Sequence, residues 1–565
     1  MNRFTYLSAS LLLLLTATLT LAQPTKKSPK ATPNAAQSAP GAGQTTLAKP
    51  KLVVGIVVDQ MRYDYLYRYY DKFGEGGFKR LMNQGFNARN NHYHYAATYT
   101  GPGHAAIYTG SAPALNGIVG NDFYDRNQGR LVYCAEDSAV KTVGNEGVAG
   151  KMSPRNMITS TITDQLKIAT QGRSKVIGVA LKDRGSILPA GHAANAAYWF
   201  DSKDGNWISS TYYMTQLPAW ATALNARKLP DQFMNQKWEP LLPIAQYTES
   251  TADDTPFENV LQGEAKPVFP HSFVAAMGQK YEELRTSPYG DQLTKEMALA
   301  AMVGENLGKN TDTDFLCVSF SSTDYIGHRF GTDAIETEDE YLRLDRVLAE
   351  MLTAFDAQVG AGNYLVFLSA DHGAADAPGF SRSLHIPAGN RDGTESNRAV
   401  DAALNRAFGE AKWVLRYFNQ EIYLDRALMQ EKKVSMADAF VVVQNELLKQ
   451  KGVLQVVNFH NLAATPLPDQ TVSMLKNVYH PVRSGDFYVI YEPAWLEGYT
   501  KGGTSHGTTH NYDTHVPFLL YGWGVKPGQT LRRTHISDIA PTISAMLHIL
   551  EPNGCIGNPV EEAVR

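Results

Sequence analysis

Three strongly apolar runs, each followed directly by residues of the kinds that bind metal ions, constrain the fold of this chain more than any other feature. The runs are Leu52–Val58, Phe315–Phe320 and Tyr364–Leu368. Continuous apolar runs of this length are typical of strands buried in a parallel sheet. In open α/β sheets, ligands bind beyond the carboxyl ends of the strands. We therefore expect an α/β fold whose chemistry lies at one edge of a mainly parallel sheet.

The residues that follow the three runs are carboxylates and imidazoles. Asp59 follows the first run, Asp324 and His328 follow the second, and Asp371 and His372 follow the third. Asp324 and His328 stand four residues apart, so on a helix both side chains would face the same way. Either pair by itself is more typical of a surface pair or a helix cap. Because all five residues converge on one predicted sheet edge, we predict a divalent metal site there, as in zinc hydrolases.

A further histidine ligand is expected from the loop that precedes the predicted strand Val516–Tyr521. This loop is dense in histidine and contains His506, His510 and His515. Imidazole is a common ligand of zinc. The spacing of the three histidines does not choose among them.

Thr100 is the candidate nucleophile. We predict that it caps a helix beginning near Gly101-Pro102, because threonine is a frequent capping residue and proline is frequent in the first turn. Its hydroxyl and the first helical N–H groups would then face a bound anion. A capping threonine alone would be structural. Beside a metal cluster it becomes a nucleophile whose alkoxide the metal stabilises, so no separate base is required.

Three more polar residues are candidate ligands for a phosphate group. Asn121 follows the helix that Thr100 is predicted to begin, and a turn asparagine is the structural alternative. Lys182 and Arg184 follow the predicted strand Val176–Leu181 and put two cations at the same sheet edge as the predicted metal site. Lysine and arginine are common on protein surfaces, so Lys182 and Arg184 are candidate phosphate ligands only because of their position at this sheet edge.

From Lys51 onward the chain alternates short apolar runs with helical periodicity, a pattern typical of a three-layer α/β/α sandwich with a mainly parallel central sheet. Helices are predicted at about 336–356 and after Ser537-Asp538, the latter with Pro541 in its first turn. Residues 190–290 and 388–505 break the alternation, and we predict that both are insertions that cap one end of the sheet. Within the second insertion, elements are predicted at Glu421–Leu424, Ala437–Leu448, Val453–Asn458 and Asp486–Tyr491.

Residues 1–22 have the pattern of a cleaved export signal. Arg3 supplies the positive end, Leu11–Leu15 lies in the apolar stretch, and Thr20-Leu21-Ala22 offers a cleavage site. The apolar stretch is short for a transmembrane anchor, so we expect a periplasmic or secreted protein without a stable membrane anchor. Residues 23–50 are rich in Pro, Ala, Thr, Ser and Lys and are predicted to form a disordered linker.

Composition limits the possible partners. A chain of 565 residues that is 43% hydrophobic can bury a large core, and its net charge of -4 gives no basic surface for nucleic acid. Of its three cysteines, Cys317 lies inside an apolar run and is interpreted as a small buried hydrophobe. Whether Cys134 and Cys555 form a disulfide is left open. Their wide spacing does not fit a cysteine zinc site.

Taken together, these motifs resemble those of the alkaline phosphatase superfamily. The resemblance is closest to the phosphate-irrepressible periplasmic alkaline phosphatases (PafA type), relatives of the nucleotide pyrophosphatase/phosphodiesterases. It extends from about Lys51 to Val560 and includes the predicted helix after Ser537-Asp538. It is carried by the order of the motifs, which is Asp, Thr-Gly-Pro-Gly-His, Gly-Asn, Lys-Asp-Arg, Asp-x3-His, Asp-His-Gly and His-Gly. The resemblance implies an alkaline-phosphatase-like fold.

The resemblance also implies two bound zinc ions. Asp324, His328 and His506 would hold one of them, His506 being chosen over the other loop histidines because glycine follows it, as in the family motif. The ligands of the second ion would be Asp59, Asp371, His372 and the Thr100 oxygen.

The activity that the resemblance implies is hydrolysis of phosphate monoesters, with broad leaving-group tolerance and weak diesterase activity. Thr100 would form a covalent phospho-threonine, while Asn121, Lys182 and Arg184 would bind the non-bridging oxygens. A sulfatase of this superfamily needs a Cys or Ser nucleophile followed by x-Pro-x-Arg, which this chain lacks. The alternatives are a nucleotide pyrophosphatase/phosphodiesterase and an inactive secreted metal-binding protein. We expect small phosphate esters as partners, no nucleic-acid partner, and a monomer.

Overall fold

The computed structural model describes residues 48–273, 281–498 and 502–564. The predicted export signal at 1–22, and the predicted linker up to residue 47, lie outside the described residues. Within the described residues the strands are β1 (Leu52–Val58), β2 (Phe86–Ala88), β3 (Asn91–His92), β4 (Asp122–Asp125), β5 (Arg130–Tyr133), β6 (Thr142–Val143), β7 (Val176–Ala180), β8 (Ala196–Asp201), β9 (Asn206–Ser210), β10 (Lys237–Trp238), β11 (His271–Ser272), β12 (Asp314–Phe320), β13 (Tyr364–Ser369), β14 (Gly389–Arg391), β15 (Val414–Phe418), β16 (Glu421–Leu424), β17 (Val453–Asn458), β18 (Phe487–Tyr491), β19 (Trp495–Glu497), β20 (Phe518–Gly522), β21 (Gly528–Thr530) and β22 (Thr534–His535).

The helices of the same residues are α1 (Tyr65–Arg68), α2 (Phe78–Gln84), α3 (Thr100–Thr109), α4 (Pro113–Asn116), α5 (Ile162–Ala169), α6 (Asp183–Ala190), α7 (Ala219–Ala226), α8 (Leu229–Met234), α9 (Pro288–Gly304), α10 (Ser322–Phe330), α11 (Ile335–Gln358), α12 (Pro378–Ser383), α13 (Gly393–Phe408), α14 (Arg426–Lys432), α15 (Met436–Leu447), α16 (Asp469–Val478), α17 (Asn511–Thr514) and α18 (Ile539–Leu547).

A ten-stranded sheet forms the centre of the fold, in the order β21-β2-β20-β13-β1-β12-β7-β8-β9-β6. The five strands from β13 to β8 run parallel to their neighbours. On the two sides of this parallel block, β20 and β9 pair antiparallel to β13 and β8. The sheet is therefore mixed but mainly parallel, and the predicted α/β fold class is confirmed.

The three apolar runs of the sequence are the three adjacent strands β13, β1 and β12. Their residues are buried throughout. Val57 of β1 is in register with Ser319 of β12 on one side and with Ser369 of β13 on the other. The three strands therefore end side by side, and the polar residues that follow them emerge at one edge.

Helices cover the sheet in two groups. Helices α3, α5, α6 and α18 contact one another, as do α9, α10 and α11, and α6 and α9 both pack on β7 and β12. The helix predicted at about 336–356 is α11, which begins one residue earlier and ends two residues later than predicted. The helix predicted after Ser537-Asp538 is α18, and Pro541 lies in its first turn.

The predicted insertion at 388–505 contains a four-stranded antiparallel sheet of its own, in the order β15-β16-β18-β17. A separate apolar core, to which α13 and α15 contribute, packs against this sheet. The four elements predicted inside the insertion are present as β16, α15, β17 and β18. The stretch 190–290 differs from the prediction, because its first part supplies β8 and β9 to the central sheet rather than a cap over it.

All three cysteines carry free thiols, so Cys134 and Cys555 are not bonded to each other. Cys317 is buried inside β12, as its apolar surroundings predict. None of the described helices is both long and apolar enough to cross a membrane.

Candidate metal centre and anion site

Three aspartates meet at the carboxyl edge of the central sheet. Asp59 directly follows β1, Asp371 follows β13, and Asp324 lies in the first turn of α10 just after β12. All three are buried. The backbone N–H of Asp59 donates to the Phe320 carbonyl at 2.9 Å, so the ladder between β1 and β12 continues to the site itself. The edge predicted from the apolar runs is thus where the carboxylates converge.

Two overlapping groups at this edge have the geometry of metal ligands. In each group, one ligand atom per residue lies within 4.8 Å of the others; the groups are Asp59, Asp371, His372 and Asp324, His372, His506. His328 lies beside the second group, with its Nε2 atom 3.1 Å from Oδ1 of Asp324 and its side chain 38% exposed. All six carboxylate and imidazole ligands implied by the resemblance are therefore brought together.

The histidines at this edge share one orientation. The Nδ1–H groups of His328, His372 and His506 donate to the backbone carbonyls of Thr504, Gly373 and Thr98, at 2.9, 3.0 and 2.7 Å. A backbone partner on Nδ1 leaves the Nε2 lone pair of each ring for a metal ion. Burial lowers the pKa of His372 to about 3, which keeps that ring neutral.

The two other histidines of the loop are oriented the opposite way. His510 uses Nε2 to contact the Tyr491 carbonyl at 3.0 Å, and His515 uses Nε2 to contact the Arg89 carbonyl at 2.9 Å. Their Nε2 atoms are thus occupied outside the cluster. The choice of His506, which spacing left open and the family motif implied, agrees with this arrangement.

Buried polar atoms of the centre lack hydrogen-bond partners among the described residues. These atoms are Oδ1 of Asp59, Oδ2 of Asp371 and Nε2 of His372. Burial raises the pKa of Asp59, and the neighbouring Asp324 raises it further. Burial and the charge of Asp59 likewise raise the pKa of Asp371. Carboxylates packed this closely are stabilised by a cation, so the donor set fits a divalent metal ion.

Lys182 places a positive charge between the two groups. Its Nζ atom donates to Oδ2 of Asp59 at 2.7 Å and to Oδ2 of Asp324 at 2.6 Å. Burial alone would lower the pKa of Lys182, but the two carboxylates outweigh burial and raise it. Lys182 is thus a buried ammonium group that bridges carboxylates of both groups. Its position after β7 did not by itself predict this bridging.

Thr100 lies at the start of α3, but one position later than predicted. The N-cap residue is Tyr99, which makes no side-chain capping hydrogen bond. Thr100 is the first helical residue and is 2% exposed. The prediction that Thr100 is the capping residue is therefore wrong by one residue. The helix packs directly on the metal edge, because a Cβ atom at Gly103 would lie 2.2 Å from the Asp371 carbonyl oxygen. Thr100 therefore begins a helix that faces the carboxylate cluster.

Two polar side chains stand near the start of α3. Oδ1 of Asn121 accepts a hydrogen bond from the Gly101 N–H at 2.7 Å, which leaves the Asn121 amide N–H groups for another partner. Arg184 donates to the Tyr133 hydroxyl at 3.1 Å, and its buried Nε–H group has no partner among the described residues. Both residues thus keep donors free for an anion at the amino terminus of α3.

Sequence reasoning missed two residues that hold the centre together. Gln60 donates from its backbone N–H to Asp371 at 3.1 Å and from its side chain to Asp324 at 2.7 Å, in a left-handed backbone conformation with φ of 63°. His104 contacts the Thr100 carbonyl and the Ser319 hydroxyl, both at 2.8 Å. Their positions next to Asp59 and inside the Thr-Gly-Pro-Gly-His motif were the available signals.

An open cavity of about 550 Å³ lies next to His328. Its walls are of mixed polarity and come from Asn259, Val260, Thr286, Tyr325, His328 and Arg329. His328 also lies beside Asp324, so the cavity borders one candidate ligand of the metal centre.

Comparison with known proteins agrees with this geometry. The model of the type I phosphodiesterase / nucleotide pyrophosphatase family matches residues 53–513. A protein of Myroides odoratus named calcium-transporting ATPase is 48% identical and covers 92% of this chain and 95% of its own. Alkaline phosphatase PhoV of Synechococcus elongatus is 46% identical, covering 92% of this chain and 94% of its own.

Alkaline phosphatase PafA of Elizabethkingia meningoseptica is 44% identical, and the match covers 93% of this chain and 96% of PafA. The crystal structure of wild-type PafA superposes with a TM-score of 0.89, covering 92% of this chain and 100% of that structure. The likeness thus extends over both the central sheet and the predicted insertions.

Proposed function

Because this chain belongs to the type I phosphodiesterase / nucleotide pyrophosphatase family, and within the alkaline phosphatase superfamily to the PafA-type enzymes, we propose that it hydrolyses phosphate monoesters to an alcohol and inorganic phosphate. One observation carries the proposal. Two groups of candidate metal ligands meet at the sheet edge against which the helix of Thr100 packs, and donors of Asn121 and Arg184 near the same helix start have no partner among the described residues.

The residues fit two zinc ions. We assign Asp324, His328 and His506 to one ion, and Asp59, Asp371, His372 and Thr100 to the other. When bound, such a pair stabilises the attacking and the leaving oxygen of an in-line displacement. The unpartnered Oδ1 of Asp59, Oδ2 of Asp371 and Nε2 of His372 support this assignment.

Thr100 is the proposed nucleophile. Its hydroxyl oxygen bonds to phosphorus while the bond from phosphorus to the ester oxygen breaks, and the hydroxyl proton ends on the departing alcohol. Water then attacks the phospho-threonine, which regenerates the Thr100 hydroxyl and releases inorganic phosphate. The position of Thr100 in the first turn of α3 supports this role, because the free N–H groups and the dipole of a helix start favour an anion there.

Asn121, Arg184 and Lys182 are proposed to bind the phosphoryl oxygens. A phosphoryl transition state spreads negative charge over its non-bridging oxygens, and preorganised donors stabilise it. The free amide N–H groups of Asn121 and the unpaired Nε–H of Arg184 are suited to that role. Lys182 would act through its charge beside Asp59 and Asp324.

Phosphate monoesters are proposed over diesters for a reason of charge. Extra positive charge near the non-bridging oxygens stabilises a monoester dianion, whereas a diester needs space for its second substituent. Lys182 and Arg184 are two cations at that position, and the PafA and PhoV relatives are both named alkaline phosphatases. The diesterase reading remains the alternative, because the matching family model is named for that activity.

We propose broad leaving-group tolerance, which the cavity beside His328 supports. The cavity is open to solvent and lined by side chains of mixed polarity, so it sets few limits on the alcohol. We expect ATP to be among the substrates, since its terminal phosphoryl group resembles that of a monoester. Release of phosphate from ATP should then proceed without calcium.

We also propose that the protein acts in the periplasm or outside the cell. The export-signal pattern of residues 1–22 supports this location. Detection of a mature amino terminus near Gln23 in the periplasmic fraction would test it, whereas the full-length chain in the cytoplasm would contradict it.

The test of the proposed activity is a comparison of kcat/KM on an aryl phosphate and on the corresponding bis-aryl diester, with the metal content of the same sample measured by elemental analysis. The proposal expects a large preference for the monoester and about two zinc ions per chain. A higher kcat/KM for the diester would assign the chain to the phosphodiesterases instead.

A further inference from the structure

Two buried carboxyl groups from different helices face each other beneath the turn that leads to Asp324. They are Asp291 of α9 and Glu340 of α11, and both are buried. The two carboxyl groups are neighbours, since burial and then the nearby Asp291 raise the pKa of Glu340. Both Glu340 oxygens and Oδ2 of Asp291 are buried and have no donor partner among the described residues. Carboxyl groups placed in this way can hydrogen-bond to each other only if one of them carries a proton.

Asp291 also supplies a missing helix cap. Helix α10 begins at Ser322, and its N-cap residue Ser321 makes no side-chain capping hydrogen bond. Instead, Oδ1 of Asp291 accepts from the backbone N–H of Ser322 at 3.1 Å. The first N–H groups of a helix need an acceptor, and a negative charge there also favours the helix dipole. Asp291 therefore caps α10 from a neighbouring helix.

The capped turn carries the metal ligands. Asp324 lies two residues after Ser322, and His328 lies one helical turn further on. The packing is tight, because a Cβ atom at Gly290, next to Asp291, would lie 2.3 Å from the Ser322 hydroxyl. A shift of Asp291 would therefore move the start of α10, and with it the carboxylate of Asp324.

The proton of the pair belongs on Glu340. Burial raises the pKa of Glu340 well above its usual range; Asp291 and Asp339 raise it further, and Arg343 opposes them. Burial also raises the pKa of Asp291, to about 6, although its hydrogen bonds with Glu340 and Ser322 oppose the rise. Two buried carboxyl groups in contact cannot both ionise. The arrangement is thus a neutral Glu340 that donates to an ionised Asp291.

We propose that Asp291 and Glu340 are positioning residues, a carboxylic acid and a carboxylate that share one proton and fix the start of α10, and thereby Asp324 and His328, at the metal centre. The inference rests on the proposed function, because the kinetic measurement below requires that the protein hydrolyse phosphate esters. It concerns residues that touch neither substrate nor metal. It predicts a selective defect in the group of Asp324, His328 and His506, which does not include the nucleophile Thr100 and would therefore be the one to stabilise the leaving oxygen.

The test compares Glu340→Gln, which keeps a neutral donor, with Glu340→Leu and Asp291→Ala, which break the pair. Glu338→Leu is the matched control, because Glu338 is a buried glutamate of the same helix that contacts Lys72 and Ser250 instead. Two quantities are measured on each zinc-loaded protein. One is the ratio of kcat/KM for an alkyl phosphate to that for p-nitrophenyl phosphate, and the other is the affinity for the two zinc ions.

Breaking the pair should lower the kinetic ratio and weaken one of the two zinc ions, each by about tenfold or more, as is usual when a residue supporting a metal ligand is lost. An alkyl phosphate is the more sensitive substrate because its poor leaving group depends most on stabilisation of the departing oxygen. Glu340→Gln and the Glu338→Leu control should stay within about twofold of the wild type in both measurements.

Three results would overturn the inference. Equal losses in Glu340→Gln and Glu340→Leu would mean that the pair holds a cation rather than a proton. An unchanged ratio and unchanged zinc affinities in Asp291→Ala and Glu340→Leu would mean a merely structural role. Equal weakening of both zinc ions would mean that the effect is not confined to α10. If the wild type hydrolyses neither substrate, the proposed function fails, and the zinc affinities still decide the positioning role.

Discussion

The imidazole rings of His372 and His506 stack with their centroids 3.5 Å apart and their planes 12° from parallel. His372 follows β13, whereas His506 comes from a loop more than a hundred residues later in the chain. Burial lowers the pKa of both rings, so they stack as neutral imidazoles, the form that binds a metal ion. The contact joins the two candidate metal groups into one centre.

Replacing His506 by alanine should remove one of the two metal ions. The Nε2 atom of His506 is free for a ligand bond, while that of His510 contacts the Tyr491 carbonyl. We expect His506→Ala to lower the zinc content and to reduce kcat/KM by about a hundredfold, against less than about threefold for the matched variant His510→Ala. Elemental analysis and a monoester assay of both variants would check this. Equal effects would show that the loop was assigned the wrong histidine.

Removal of the metal ions should abolish turnover reversibly. Asp59 and Asp371 each have a buried oxygen without a hydrogen-bond partner among the described residues, which fits a bound cation. Dialysis against a strong chelator is expected to lower monoester hydrolysis by at least about a thousandfold, and added zinc should restore it. Full activity in a preparation shown to be free of metal would contradict a metal-dependent reaction.

Lys182 and Arg184 should distinguish the two ester classes. Their charges favour the extra negative charge of a monoester, so Lys182→Ala and Arg184→Ala should each slow monoester hydrolysis about ten to a hundred times more than diester hydrolysis. The measurement is kcat/KM on both substrates for each variant. A matched control is Lys175→Ala, since Lys175 pairs with Glu305 away from the centre. Equal losses on both esters would mean that the two cations only support the structure.

His271 should make the stability of the fold depend on pH. Its two ring nitrogens contact Glu264 at 2.9 Å and Glu336 at 3.1 Å, and these bonds, against the opposing effect of burial, raise its pKa from 6.5 to about 9. The folded state then holds a proton that the unfolded state releases near pH 6.5. The stabilisation is complete below that pH and is lost as the pH rises through about 9.

The measurement is the free energy of unfolding of the wild type and of His271→Gln between pH 6 and pH 10. The advantage of the wild type should fall by about 3 kcal/mol over this range, since each unit of pKa shift contributes about 1.4 kcal/mol. A constant difference between the two proteins would show that His271 is neutral in the folded state.

The sequence predicts those parts of the centre that depend on strand ends. A continuous apolar run predicts a buried strand from its own residues, without knowledge of the strands beside it. Asp59 and Asp371, which follow two such runs, could therefore be placed at one edge of the sheet. Helix α11 was equally evident from its apolar spacing. The start of α3 was misplaced by one residue because Tyr99, with no side-chain cap of its own, holds the N-cap position. Helix boundaries are the least certain part of such predictions.

What the sequence does not reveal are contacts between distant elements. The sequence pattern assigns β8 and β9 to an insertion. The reason is that β9 follows β8 directly and pairs antiparallel to it, which interrupts the alternation of strand and helix. Gln60 and the pair of Asp291 and Glu340 have no motif of their own. Their roles arise only when three helices and three strand ends pack together, and single residues in such contacts leave no periodic signal.

The covalent intermediate on Thr100 is the most direct test of the proposed mechanism. The zinc-loaded wild type would be mixed with an excess of aryl phosphate, quenched in acid during turnover, digested, and analysed by mass spectrometry. We predict a phosphoryl group on the peptide that contains Thr100, absent from Thr100→Ala, whose kcat should fall by at least about a thousandfold. Undiminished turnover by Thr100→Ala, or a phosphoryl group on another residue, would contradict the mechanism.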